Sequence, residues 1–195
     1  MKTGIFKKPV DGRRMLRLDN VEGDQQADLR VHGGTDKAVY GYPAEHYEYW
    51  KTLLVDMPSE SGAFGENLTT AGLTENSLHI SDHFQVGNAV LRVTQPRIPC
   101  LKLAARFRRS DMIDLFHRSG RSGFYFAVVE EGGLGAGDAI ELKHRDTKAV
   151  TVADVNRLYL DKGDPELLDR VLDVPTLAGS MRRHFEKRRP GKSRR

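Results

Sequence analysis

At 195 residues the chain is long enough for one packed domain, or for one domain with a small appendage, and is tight for two full ones. Hydrophobic residues make up 38% and charged residues 30%, in short patterned runs that argue against disorder as a default and never approach the ~20 apolar residues of a transmembrane helix. The net charge of +4 is terminal: "MRRHFEKRRPGKSRR", residues 181–195, reads as a solvated, partly disordered basic tail, with a nucleic-acid patch as the lesser reading.

The N-terminus, "MKTGIFKKPVDGRRM", is basic but lacks the apolar segment of a secretory signal. A single cysteine suits a reducing compartment, and together these features predict a cytoplasmic protein. "YPAEHYEYWKTLL", residues 42–54, predicts a helix with Pro43 in its first turn and with Tyr47, Trp50 and Leu54 at helical spacing. Strand character follows in "HISDHFQVG" and "NAVLRVTQ", residues 79–87 and 88–95. In the second, Ala89, Leu91 and Val93 fall on one face, as in a sheet with one buried side. "SDMIDLFHRSG", residues 110–120, predicts a helix capped by Ser110 and closed by Gly120. "FYFAVVEE" and "AIELKHR" predict two more strands, with "GGLGAG", residues 132–137, as the connection between them.

Several short strands without regular helix alternation predict a mainly β, α+β fold: a closed barrel or strongly bent sheet with short packed helices. After about residue 148 the pattern changes to three short helices. Asp164 caps the second and Pro175 starts the third. The expected organisation is a barrel domain over 1–147, a three-helix appendage over 148–188 and the basic tail over 189–195.

Three segments could carry chemistry. In "DLRVHGGTDKAVYGYP", residues 28–43, the residues Asp28, Arg30, His32, Asp36 and Lys37 crowd around Gly33 and Gly34. This reads either as an anion cradle of backbone amides and cations or as a tight turn with solvated charges. "AFGENLTTAGL", residues 63–73, offers Asn67, which can donate and accept towards a heterocycle edge, and Glu66, which could orient a base or take a proton. "QPRIPCLKL", residues 95–103, places Cys100 between Arg97 and Lys102 on a loop held by two prolines. Neighbouring cations favour a thiolate, while an isolated cysteine is often a small buried hydrophobe.

Seven histidines leave room for a base to pair with Cys100. His79 and His83 lie in a strand-and-turn region and read as two surface histidines. No phosphate-loop or dinucleotide fingerprint is present.

Taken together, "DLRVHGGTDKAVYGYPAEHYEYW", "FGENLTT", "GL" at 72–73 and "QPRIPCLKL" resemble the MOSC domain, the module named for the C-terminal region of molybdenum cofactor sulfurases. Order and spacing match its YiiM-type bacterial branch, and the last three helices resemble that branch's extension. The resemblance implies a closed, mostly β barrel that uses molybdenum cofactor (molybdopterin) to reduce N-hydroxylated substrates such as hydroxylaminopurines, hydroxylamines and amidoximes.

The family's cysteine, a molybdenum ligand, corresponds to Cys100. A pocket for such a cofactor needs cations and amide-type edges, which makes Arg97, Lys37 and Arg30 the candidates for its phosphate and pterin, with Asn67 and the Gly33–Gly34 backbone as hydrogen-bonding partners. His32 or Glu66 supplies protons, and a separate reductase supplies electrons because the chain has no cysteines for an iron–sulfur cluster. An alternative is a sulfur-carrier or cofactor-carrier module with a persulfide on Cys100. Relative to that branch the chain starts late: either the true start lies upstream, or the barrel lacks an edge strand. Monomer and homodimer both remain open.

Overall fold

The computed structural model describes residues 4–24, 34–54, 57–58 and 60–189. Eight strands form two sheets: β1 (Arg14–Leu16), β2 (Val39–Pro43), β3 (Leu68–Thr70), β4 (His83–Val86), β5 (Ala89–Pro96), β6 (Phe124–Glu130), β7 (Gly132–Leu134) and β8 (Ile140–His144). Among the described residues six helices accompany them: α1 (Glu45–Leu53), α2 (Leu101–Phe107), α3 (Met112–Ser119), α4 (Val152–Leu160), α5 (Pro165–Leu172) and α6 (Gly179–Glu186). A 3-10 turn covers Thr35–Lys37.

The main sheet runs in the order β3-β2-β6-β5-β4-β8, parallel between β2 and β3 and antiparallel elsewhere, while β1 pairs only with β7. It curls into a half-barrel and does not close, which corrects the expectation of a closed barrel. Closure needs strand number, stagger and length to agree. Here β3 is three residues long, and the edges β3 and β8 do not pair. The seam holds a cleft of about 320 Å3, lined by Leu68, Thr70 and Val86 and by Gly12 and Gly135 from the segments bridging the gap.

Alternation sorts the sheet's side chains into two cores, as a period of two requires. Val39, Leu91, Val93, Phe124 and Phe126 face one core, which also takes Leu158, Val171 and Phe185 from α4, α5 and α6. Tyr40 and Tyr42 face the other, with Trp50 of α1, Phe64, Leu103 of α2 and Phe116 of α3. The Trp50 indole donates to the Tyr42 hydroxyl at 2.6 Å, which satisfies a buried donor within an aromatic stack.

Several boundaries differ from the sequence reading. Pro43 ends β2, paired with Thr70, and α1 begins two residues later. Ser110 does not cap α3, whose first residue is Met112, although Gly120 does close it in the left-handed conformation. Pro175 lies in a turn, and α6 starts at Gly179. Asp164 caps α5 by accepting from the Leu167 N–H at 2.8 Å.

His79 and His83 are half-buried rather than surface residues, and the Nδ1 of each is buried without a hydrogen bond among the described residues. Their segment is drawn inward by an isolated bridge between His79 and Thr151, at the start of α4. No helix of the described residues is long and apolar enough to cross a membrane.

Candidate functional site

β5 delivers Arg97 and Cys100 to one place. Pro96 is the last residue of the strand, paired with Phe124, and the chain turns at Ile98–Pro99 into α2, with Cys100 as its extended N-cap residue. The half-buried Cys100 begins the helix through its carbonyl, which accepts the Leu103 N–H at 2.8 Å, so its sulfur is not used for capping.

Arg97 is buried. It donates to the Phe64 carbonyl at 2.7 Å and to the Tyr40 hydroxyl at 3.4 Å, with the guanidinium 4.9 Å from the Tyr40 ring centre. Burial opposes its charge, but the oxygens of Tyr40 and Tyr125 and the sulfur of Cys100 outweigh that and raise its pKa. Tyr40 and Tyr125 are held neutral: burial pushes both pKa values up, against the pull of Arg97.

The loop from Gly62 to Asn67 is built around Glu66. Its carboxylate is buried and accepts from four donors: the Gly62 N–H at 2.8 Å, the Phe64 N–H at 3.0 Å, the Thr69 hydroxyl at 3.1 Å and the Tyr47 hydroxyl. Burial, followed by the negative charge of Glu66 and the bond to it, raises the Tyr47 pKa, so this proton stays on the phenol. Gly65 has φ of 79°, and a Cβ there would lie 2.8 Å from Ile5, so the loop needs glycine on both counts. This places Glu66 as the organiser of the loop.

Asn67 is also engaged. Its Oδ1 accepts the Tyr40 N–H at 3.0 Å, and its amide donates to Asp24 at 2.8 Å, leaving one amide hydrogen of two. Asp24 in turn pairs with Lys7 at 2.7 Å.

Tyr40 is therefore the junction of the three predicted segments. Its backbone is tied in both directions to Asn67, and its hydroxyl meets Arg97 and donates to the Ser122 carbonyl at 2.9 Å. Neither Tyr40 nor Tyr125 carried a local sequence signal. They meet because β2 and β6 set them opposite each other.

Gly34 has φ of 94°, and its carbonyl accepts the Lys37 N–H at 2.9 Å, so the chain turns tightly over Gly34–Lys37. Lys37 is half-buried, and burial lowers its pKa. The Asp36 carboxylate accepts the Gly179 N–H of α6 at 3.1 Å. Asp28, Arg30, His32 and Gly33 lie outside the described residues, as does the tail 190–195.

Among the described residues no cluster of three histidines, cysteines or acids is placed to hold a metal ion. The surroundings fit an anionic, sulfur-rich cofactor. Cys100 offers a soft sulfur, and among the described residues the buried Arg97 cation has no carboxylate hydrogen-bond partner.

Known proteins point the same way. A sequence family described as "MOSC domain" matches residues 28–141, and one described as "YiiM-like, 3-alpha helix domain" matches residues 150–189. The uncharacterized protein YflK of Bacillus subtilis is 45% identical over 190 residues, covering 97% of this chain and 86% of that protein. A protein of Gibberella moniliformis named "Reductase" is 34% identical over 159 residues, which are 80% of this chain but 28% of that protein. The crystal structure of YiiM from Geobacillus stearothermophilus superposes with a TM-score of 0.85 at 34% identity, covering 95% of this chain and 88% of that one. With signature, relatives and half-barrel agreeing, the chain belongs to the MOSC domain family, whose domains are associated with molybdenum cofactor, and carries the helical extension of its YiiM-like members.

Proposed function

We propose that this protein is a molybdenum cofactor-dependent reductase of N-hydroxylated compounds, with Cys100 as its ligand to molybdenum. The observation that carries the reading is the pairing of a half-buried cysteine with a buried arginine that has no carboxylate partner among the described residues. When bound, the cofactor would supply the two-electron chemistry that removes oxygen from an N–OH group.

The chain's own contributions are local. Cys100 offers the sulfur, and Arg97 offers a fixed positive charge beside it. Glu66 and Asn67 hold the loop whose Phe64 carbonyl positions Arg97. Within this reading Lys37, Arg30 and the Gly33–Gly34 backbone take the phosphate and pterin, and His32 takes the proton-supplying role, since Glu66 has its acceptor sites filled by the loop. Electrons come from a separate reductase.

Molybdenum analysis of protein purified from a cofactor-producing host tests this. About one molybdenum per chain is expected, lost in Cys100→Ser while the fold persists, together with reduction of an N-hydroxylaminopurine when a reductase is supplied. Molybdenum-free wild-type protein without that reduction refutes the reading. A persulfide detected on Cys100 by mass spectrometry would instead favour a sulfur carrier.

A further inference from the structure

A cleft of about 530 Å3, sharing no lining residue with the Cys100 region, opens where the start of α1, the end of α3 and the inner face of α4 meet. One wall is a buried pair: His46 Nε2 lies 2.7 Å from Glu75 Oε2, and the other carboxylate oxygen accepts the Gly123 N–H at 2.6 Å. Glu75 is thus fixed at both oxygens and orients the imidazole.

Beside this pair, Asn156 of α4 lines the cleft at 5% exposure, and its side chain makes no hydrogen bond among the described residues. The little exposure the residue keeps lies at this amide, which opens on the cleft. An unpaired amide facing a cavity supplies a donor and an acceptor that a ligand can use.

The charge of the cleft is basic. Arg118 and Arg121 line it, and neither meets a carboxylate among the described residues. The Arg121 guanidinium carbon sits 3.6 Å from the Tyr49 ring centre, and the group donates to the Ser119 carbonyl at 3.1 Å, which holds it in place. Arg157 is offset by Asp154 and Asp164, Glu75 is engaged with His46, and Asp161 is the remaining acid on the wall. Attraction to the end of a helix accounts for basic residues in the last turn of α3. It does not account for an amide on a different helix that opens on the same cleft without a protein partner among the described residues.

We propose that this cleft binds a small organic oxyanion, a carboxylate or a phosphate monoester, held by Arg118 and Arg121 and read by Asn156 and the Glu75-oriented His46. Guanidinium groups match the two-oxygen edge that both anions present. The cleft joins the sheet domain to α4, so an occupant would contact both matched segments.

Isothermal titration of the full chain at low salt tests the proposal, with inorganic phosphate, adenosine monophosphate, citrate and uncharged adenosine as probes. One-to-one binding is expected for at least one anion, with adenosine far weaker. Preference for adenosine monophosphate identifies a phosphate ester, and preference for citrate a carboxylate. Arg118→Gln, an exposed and conservative change, should weaken binding by about tenfold or more, as loss of a charge-assisted hydrogen bond implies. Asn156→Ala should weaken it further, and Cys100→Ser should leave it unchanged. The proposal is overturned if no anion binds saturably, if Arg118→Gln binds like the wild type, or if Cys100→Ser abolishes binding.

Discussion

Replacing Glu66 by Gln changes one oxygen to an amide and should cost far more than a surface substitution. The wild-type Oε1 serves the Gly62 N–H, the Thr69 hydroxyl and the Tyr47 hydroxyl, and Oε2 serves the Phe64 N–H. The glutamine oxygen would stay on the side with three donors, leaving its NH2 facing the Phe64 N–H. One bond to a charged acceptor is then lost, worth about 1.5–3 kcal/mol, and a buried donor is left unpaired, while three further bonds lose their charge assistance.

The sum is about 3–5 kcal/mol, a large share of the roughly 5–15 kcal/mol that holds a domain folded. Trp50 reports on this, because its ring lies 5.6 Å from that of Phe64. In urea, with a slope of about 2 kcal/mol/M, the midpoint followed by Trp50 fluorescence should fall by roughly 1.5–2.5 M. A midpoint within about 0.25 M of the wild type, with an unchanged slope, would refute the placement of Glu66 as the loop's organiser and return it to the role of proton donor.

Other consequences can be checked alongside. Arg97→Met removes a buried cation while keeping contact with the Tyr40 and Phe116 rings but leaves the Phe64 carbonyl unpaired, so the cofactor-free protein should lose about 1–3 kcal/mol in thermal melts and retain no molybdenum. Leu158→Ala, in a fully buried position of α4, should cost about 2–5 kcal/mol. Because the helices share a core with the sheet, Trp50 fluorescence and far-ultraviolet circular dichroism should still unfold together; a separate early helical transition would count against one cooperative unit.

The Asp164 carboxyl is held below its ordinary value of 3.8 by the Leu167 N–H and then by Arg157. Its stabilising effect is therefore complete above about pH 4 and disappears as pH falls through the lowered value. The stability gap between wild type and Asp164→Ala should be flat near neutrality and shrink in acid, as urea titrations at several pH values would reveal.

What was legible in the sequence was mostly local. The alternation of Ala89, Leu91 and Val93 was enough to place β5, and Gly120 and Asp164 carry their helix-end chemistry within a single turn. The local signals of Pro43, Ser110 and Pro175 gave way to neighbours distant in sequence, as when the end of β2 is claimed by its ladder with β3. Closure of the barrel could not be read from the chain, since it depends on whether two remote edges reach each other. The same division holds at the site. Arg97 and Cys100 are three residues apart and announced their pairing, whereas the contact of Tyr40 with Tyr125 depends on the register of β2 and β6. Glu66 looked like reactive chemistry because nothing nearby in sequence reveals that Tyr47 and Thr69 turn towards it.

The bond from Gly179 to Asp36 has a practical meaning for anyone cutting or fusing this chain. The first amide of α6 grips a carboxylate three residues after Gly33, within the same turn as Lys37. A fragment ending near residue 147 would release that grip as well as expose a core, so a shortened protein would make a poor minimal version for cofactor studies. A tag or partner domain fused after Arg189 would leave the anchor intact, and fusions are better placed there than at the junction ahead of α4.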